Sequence, residues 1–169
     1  AYPALHPDAA DTARDLAVLT GKIEAGATRI ITQFEFDTDR ILRWAERIRA
    51  AGVEVPIHVG VLPIHDLDRT RRFAARCGVH VPENVAAPLA GLAPGSATAI
   101  ERAADLAAAQ CRRLAAAGLD RFHLYSLNRA RPVRALAARL EVPSAPSPAT
   151  ADAAINIVDD AVDAGDFAD

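Results

Sequence analysis

Methionine is absent from the 169 residues, and lysine occurs once, at Lys22, beside 18 arginines. Because the chain opens Ala1-Tyr2-Pro3, two expectations follow: an initiator methionine has been removed, or the chain is the later part of a longer polypeptide. No run approaches the roughly 18 uninterrupted apolar residues of a membrane helix. No basic-then-apolar leader opens the chain either, so the expectation is a cytoplasmic protein with no membrane partner. The two cysteines, Cys77 and Cys111, form no CxxC motif and no Cys/His cluster, which suits reduced thiols in a core. Aromatic residues are only 5% of the chain, and no basic stripe interleaves with them, so a nucleic-acid partner is not expected. Also missing are a serine or cysteine nucleophile beside a base, a glycine-rich phosphate loop and any metal-ligand spacing; no metal is expected.

What is present fits one globular domain. The length suffices for a real core, and 51% hydrophobic with 24% charged residues is ordinary for a folded protein. Charge is uneven. After Arg139 there is no base but seven acids, Glu141, Asp152, Asp159, Asp160, Asp163, Asp166 and Asp169. Residues 1–140 therefore hold 19 bases against 15 acids, a net +4, although the whole carries −3. That mild excess suits a small anionic ligand.

The apolar run Arg29-Ile30-Ile31-Thr32-Gln33-Phe34-Glu35-Phe36-Asp37 reads as a buried strand that delivers Gln33 to a sheet rim. Before it, a loop over 1–7 with His6 trails from a strand, and a helix starts at Asp8 or Asp11. That helix carries Leu16, Leu19 and Ile23 and stops at Gly26. Asp37 caps the next helix, whose Ile41, Trp44, Ala45 and Ile48 share one face. A second strand spans Ile57 to Leu62, and Asp66 caps a helix carrying Leu67, Thr70, Phe73, Ala74 and Cys77. Val81 to Leu92 is helical with a break at Pro88. Ser96 starts a long helix with a seam of Ile100, Ala103, Ala107, Cys111 and Leu114. A third strand, Arg121 to Leu127, precedes a helix bearing Val133, Leu136, Ala137 and Leu140.

Three times a helix closes on Ala-Gly just before a buried strand: at Gly26, Gly52 and Gly118. Strands alternating with amphipathic helices imply parallel pairing. Three strands cannot close a sheet, and an eight-stranded barrel needs roughly 250 residues. The predicted fold is therefore α/β, the later part of a (β/α)8 barrel with about three complete strands over 1–142. Residues 143–169 read as a Pro/Ser/Ala linker and acidic tail, either solvated or forming a short docking helix around Ile155, Val158 and Val162.

Barrel ligands bind at the C-terminal strand ends. That nominates the loop around Tyr2 and His6, then Gln33 to Asp37, Leu62 to Asp66 and Ser126 to Arg129, with Lys22 nearby in sequence. Gln33 either faces the edge of a heterocycle, offering a donor and an acceptor together, or caps a backbone group. Arg129 either grips a carboxylate or phosphate or forms a rim salt bridge. Phe73 is core or a stacking platform; His58 and His123, alternating with apolar strand residues, read as structural.

Several stretches resemble methylenetetrahydrofolate reductases. They are Ala-Tyr-Pro-x-x-His-Pro at 1–7, Asp15 with Lys22, Ala25-Gly-Ala27 leading into Ile31-Thr-Gln-Phe34, and Phe36-Asp37. Gly60-Val-Leu-Pro-Ile64, Phe73-Ala74, Phe122-His-Leu-Tyr125 and Leu127-Asn-Arg129 continue the resemblance to about Leu140. It implies an eight-stranded barrel holding FAD. Such an enzyme reduces 5,10-methylenetetrahydrofolate to 5-methyltetrahydrofolate, with NADH or NADPH as hydride donor. Position by position, it implies that Tyr2, His6, Ala9, Asp15 and Lys22 contact the flavin nucleotide. It likewise puts Gln33 on the pterin, Phe73 on substrate or nicotinamide, and Arg129 on the folate side. Val18 and Gly21 stand where the family often has polar or basic residues, and Arg69 replaces a frequent glutamine. The catalytic acid that helps activate the folate is expected upstream of Ala1, in an N-terminal half of the barrel that acts as partner. The fragment alone is expected to be inactive. Two competing expectations are a non-catalytic half-barrel that self-associates, a homo-oligomer covering its open strand edges, and a related flavin barrel with another substrate.

Overall fold

The computed structural model describes residues 1–140 and a strand at Asn156–Val158. Helices and strands alternate: α1 Thr12–Glu24, β1 Ile30–Phe34, α2 Thr38–Ala50, β2 Ile57–Val61, α3 Leu67–Arg76 and α4 Glu83–Ala86. A 3-10 turn at Ala87–Leu89 leads to α5 Ala97–Ala116, β3 Arg121–Tyr125, α6 Ala130–Arg139 and β4 Asn156–Val158. Four helices start where a short polar side chain takes up an otherwise orphaned amide. Asp11, Asp37, Asp66 and Ser96 accept from the N–H groups of Arg14, Arg40, Arg69 and Ala99. At the Ala-Gly closures, Gly26, Gly52 and Gly118 adopt φ of 105°, 81° and 83°, the left-handed turn that a Cβ penalises. Pro88, lacking an N–H, sits in the 3-10 turn that ends the short α4.

All strand pairs are parallel, in the order β1-β2-β3-β4. Along each strand, side chains alternate between faces. Ile30, Ile57, Val59, Val61, Phe122 and Leu124 pack into one cluster with Ile41, Trp44, Ile48, Ala104, Ala108, Cys111, Leu114, Val133 and Leu136. His58, Gly60, His123 and Tyr125 fall between them, toward the opposite face. His58 and His123 are buried, in line with the structural reading of both. A second cluster gathers near the C-terminal strand ends: Phe34, Phe36, Leu62, Ile64, Phe73, Val79, Val81 and Leu89, with Ala103 from α5. Among the helices α5 alone spans both, and Arg139 ties α6 to it through Glu101 and Asp105.

Two features bear on the strand count. The opening loop begins as a strand neighbour: the Ala1 amine donates to Ile31 O (2.9 Å) and its carbonyl accepts from Gln33 N–H (2.7 Å), straddling Thr32 as a parallel partner does. At the other edge residues 156–158 form β4, pairing His123, Leu124 and Tyr125 with Asn156, Ile157 and Val158. The physical reason is the open edge of β3, a row of unpaired backbone groups, met by a β-branched Ile-Val pair. The described sheet thus has four strands rather than three. Ile155, Val162 and the rest of 141–169 lie outside the described residues.

Candidate functional site

The end of β1 is irregular, and its irregularity shapes the rim. Ile31 pairs with His58 and Phe34 with Gly60, so two residues of β1 stand between pairs that are separated by a single residue, Val59, on β2. Such a bulge re-aims side chains and takes backbone groups out of the ladder. Thr32, fully buried, fills the gap: its hydroxyl accepts from Gly60 N–H at 2.8 Å and donates to Gln33 O at 2.9 Å. From β3, the Tyr125 hydroxyl donates to Thr32 O at 3.1 Å. Gly60 must be glycine for steric reasons, since a Cβ there would sit 2.4 Å from Thr32 O and 2.8 Å from the Tyr125 ring.

Gln33, half-buried, spends its Oε1 on the N–H of Phe34 at 3.0 Å. Of the two expectations for this amide, backbone capping is therefore realised, and what remains for a ligand is the Nε2 donor pair rather than a donor and an acceptor together. Beyond it, Glu35 is buried to 1% exposure. Its Oε1 accepts from Phe36 N–H (2.8 Å) and Asp37 N–H (3.0 Å), and its Oε2 accepts from Arg40 at 3.2 Å. Gln110 of α5 donates to Glu35 O at 2.8 Å. The carboxylate thus clamps the strand end to the start of α2, where Asp37 caps.

A hollow of about 570 Å³ opens between the first loop, α1 and α2, and Tyr2, His6, Ala9, Asp15 and Lys22 all line it. Tyr2 and His6 meet edge to face with ring centroids 4.4 Å apart, and His6 Nδ1 accepts from Asp8 N–H at 3.1 Å. Arg14 and Arg47 line the same hollow. Among the described residues, the side chains of Lys22, Arg14 and Arg47 form no ion pair, so three cations converge there with their charge uncommitted. Val18 lines the wall as an exposed apolar residue.

Phe73 and Arg129 share a second, tighter hollow of about 30 Å³ with His65, Asp66, Arg69 and Tyr125. Phe73 is largely buried and stacks on Phe34, with centroids 5.6 Å apart and planes at 21°; here it belongs to the rim cluster. Burial, and then the neighbouring Arg129, push the His65 imidazole below its ordinary pKa. Arg129 is delivered by a sharp reversal in which Leu127 and Asn128 both take positive φ, 45° and 60°. Asparagine tolerates that region, whereas leucine does so only under strain.

The five residues assigned to the flavin are thus brought together. Phe73 and Arg129 come together separately, and Gln33 lines neither hollow. Tyr125 links these parts, for it lines the second hollow and bonds to the β1 bulge. Sequence reasoning missed Thr32, Gly60, Tyr125 and Glu35 as organisers of the rim. The available signal was a glycine inside an otherwise apolar strand, which often marks close backbone approach.

Among known proteins, residues 1–141 match the family Methylenetetrahydrofolate reductase. The chain is 38% identical over 130 residues to 5,10-methylenetetrahydrofolate reductase of Escherichia coli K12, covering 77% of this chain and 44% of that protein. It is 32% identical over 139 residues to methylenetetrahydrofolate reductase 1 of Schizosaccharomyces pombe, covering 82% of this chain and 23% of that one. A rice protein named as a probable methylenetetrahydrofolate reductase (NADH) is also 32% identical, over 136 residues, covering 75% and 23%. A solved Clostridium thermocellum structure, titled as an uncharacterized protein binding two copies of 5-methyl-5,6,7,8-tetrahydrofolic acid, superposes with a TM-score of 0.50 at 13% identity. The superposition covers 78% of this chain and 48% of that one, and the likeness is one of fold. The chain spans less than half the length of the curated relatives it matches. On the match over residues 1–141, the chain belongs to the methylenetetrahydrofolate reductase family.

Proposed function

We propose that residues 1–142 are the later part of a (β/α)8 barrel that reduces 5,10-methylenetetrahydrofolate to 5-methyltetrahydrofolate, using FAD and either NADH or NADPH. The observation that carries the proposal is the convergence of Tyr2, His6, Ala9, Asp15 and Lys22 on one hollow of about 570 Å³. The donor set suits a flavin dinucleotide. Lys22, Arg14 and Arg47 bring uncommitted positive charge toward a pyrophosphate, Asp15 accepts from a ribose hydroxyl, and the Tyr2–His6 pair walls an aromatic surface. FAD, when bound, supplies the hydride chemistry between nicotinamide and folate; the protein positions it and tunes its surroundings.

On the folate side, Gln33 donates its Nε2 hydrogens to an acceptor on the pterin edge, Phe73 offers an apolar face, and Arg129 meets anionic charge. These residues include no proton donor to the folate, and that acid belongs to the preceding strands of the barrel. Those strands are the proposed neighbours of β1, whose outer backbone already pairs with Ala1.

The test is to purify the complete protein that contains this chain, record its flavin spectrum, and assay 5-methyltetrahydrofolate formation with each nicotinamide donor. Lys22→Ala is expected to loosen the flavin, read as cofactor released on dilution, with the apoprotein still folded. A complete barrel that binds no flavin would sink the proposal. Bound flavin without folate turnover would favour a flavin barrel with another substrate.

A further inference from the structure

The bulge in β1 poses an accounting question that its neighbours answer. One extra residue in one strand leaves ladder groups with nothing opposite, and buried backbone groups are costly when unpaired. Here Gly60 N–H finds a side chain, the Thr32 hydroxyl, at 2.8 Å, and the same hydroxyl donates onward to Gln33 O at 2.9 Å. The neighbouring Thr32 carbonyl is held from β3 by the Tyr125 hydroxyl at 3.1 Å. Gly60 lets β2 approach so closely that no Cβ fits. Gln33 is fixed at both ends as a result: its backbone carbonyl by Thr32, and its side-chain oxygen by Phe34 N–H. Only the Nε2 end is left to point outward.

We propose that Thr32 is a positioning residue for folate recognition. Its hydroxyl, spliced into the ladder between β1 and β2, sets the bulge that aims the Gln33 amide, and Tyr125 holds the same peptide from β3. The proposal rests on the reading of Gln33 as a pterin contact. Thr32 itself touches no ligand; it acts through Gln33. Valine at this position keeps the volume but removes both the donor and the acceptor, so Gly60 N–H is stranded and the bulge must relax. Serine keeps the hydroxyl.

The experiment uses the complete FAD-loaded protein in four single variants, Thr32→Val, Thr32→Ser, Tyr125→Phe and Gln33→Ala, with the double variant Thr32→Val/Gln33→Ala. Flavin content, folate KM and kcat are measured for each. Misplacement of a contact by about 1 Å costs on the order of tenfold to a hundredfold, and Thr32→Val is expected to lose that much kcat/KM for folate while retaining flavin. Thr32→Ser stays within about twofold of wild type, and Tyr125→Phe shows a smaller loss in the same direction. The double variant loses no more than Gln33→Ala alone, because residues in one network are not additive. Additive losses, or a fall in flavin content that matches the fall in turnover, would assign Thr32 a merely structural role and overturn the proposal. Wild-type folate kinetics in Thr32→Val beside an impaired Gln33→Ala would overturn it as well, leaving the Gln33 reading intact. Unchanged kinetics in Gln33→Ala would remove the pterin reading itself, and the proposal with it. Should Thr32→Val fail to fold, Tyr125→Phe decides: a folate-specific loss supports the network and wild-type kinetics refute it.

Discussion

Gly60→Ala is the sharpest probe of the rim. An added Cβ would lie 2.4 Å from Thr32 O, 2.8 Å from Tyr125 Cε2 and 2.9 Å from the Gln33 carbonyl carbon. Ordinary carbon contacts are near 3.5–4.0 Å, so the strands must part by about 1 Å. Two of the three obstacles are backbone and have no flexible tip to swing aside. Overpacking of this kind costs about 1–3 kcal/mol. Parting the strands also breaks two hydrogen bonds, Gly60 N–H to Thr32 Oγ1 and Tyr125 Oη to Thr32 O, each contributing about 1 kcal/mol. The sum is about 3–5 kcal/mol. With a urea slope of about 2 kcal/mol per molar, the unfolding midpoint followed by circular dichroism should fall by about 1.5–2.5 M. Gly21→Ala is the matched control: nothing lies within 4 Å of its added Cβ and Gly21 is inside α1. Alanine there should stabilise by about 0.5–1 kcal/mol and raise the midpoint slightly. A Gly60→Ala midpoint equal to that of wild type would refute the close-approach argument.

Other outcomes follow from buried groups. Glu35→Ala leaves the N–H groups of Phe36 and Asp37 without their acceptor, and a loss of about 2–4 kcal/mol is expected from urea unfolding; an unchanged midpoint would mean the clamp is dispensable. Burial, then Arg121, Arg29 and His123, hold the His58 imidazole below its ordinary value of 6.5. Its stabilising contribution is therefore fully present above 6.5 and is lost as pH falls through the lowered folded value. Unfolding curves between about pH 7.5 and about pH 5 should show a shallower acid loss in His58→Gln than in wild type. Burial pushes the Cys111 thiol up to about 12. Cys77 is raised too but is only half-buried. A thiol reagent at neutral pH should therefore label Cys77 first, with Cys111 labelled only on unfolding, as read by mass spectrometry.

Much of the fold is legible in the sequence because the signals are local. Asp37, Asp66 and Ser96 cap the helices they are expected to start, and Asp11 rather than Asp8 starts α1. The Ile100, Ala103, Ala107, Cys111 and Leu114 seam is buried as periodicity requires. The Pro88 break is where a missing N–H puts it. Apolar pattern alone carries the strand ends one or two residues too far, to Leu62 and Leu127, because apolar character continues into the rim cluster after ladder pairing stops. What escapes are facts that depend on two distant segments at once. The bulge requires the register of β1 on β2, and β4 requires the vacant edge of β3. Glu35 looks like an alternating polar residue until Arg40 and two backbone amides close around it. For the site, it is the family resemblance that names in advance the five residues, Tyr2, His6, Ala9, Asp15 and Lys22, which line the α1 hollow. The division of the remaining residues between Gln33 and a separate Phe73–Arg129 hollow is a matter of side-chain packing.

The two hydrophobic clusters carry a consequence for how the molecule breathes. The helix-facing cluster holds the strands, while the rim cluster is built largely from α3, α4 and the segments after β1 and β2; α5 and, through Phe34, β1 belong to both. Opening α3 and α4 therefore requires no loss of the ladder between β2 and β3. Amides of α3 and α4 should exchange with solvent through a partial opening, and those of β2 and β3 only through global unfolding. The residues around Phe73 thereby have a freedom that the strand core lacks. Mutational drift in the rim can reshape what is recognised there without dismantling the sheet that carries it.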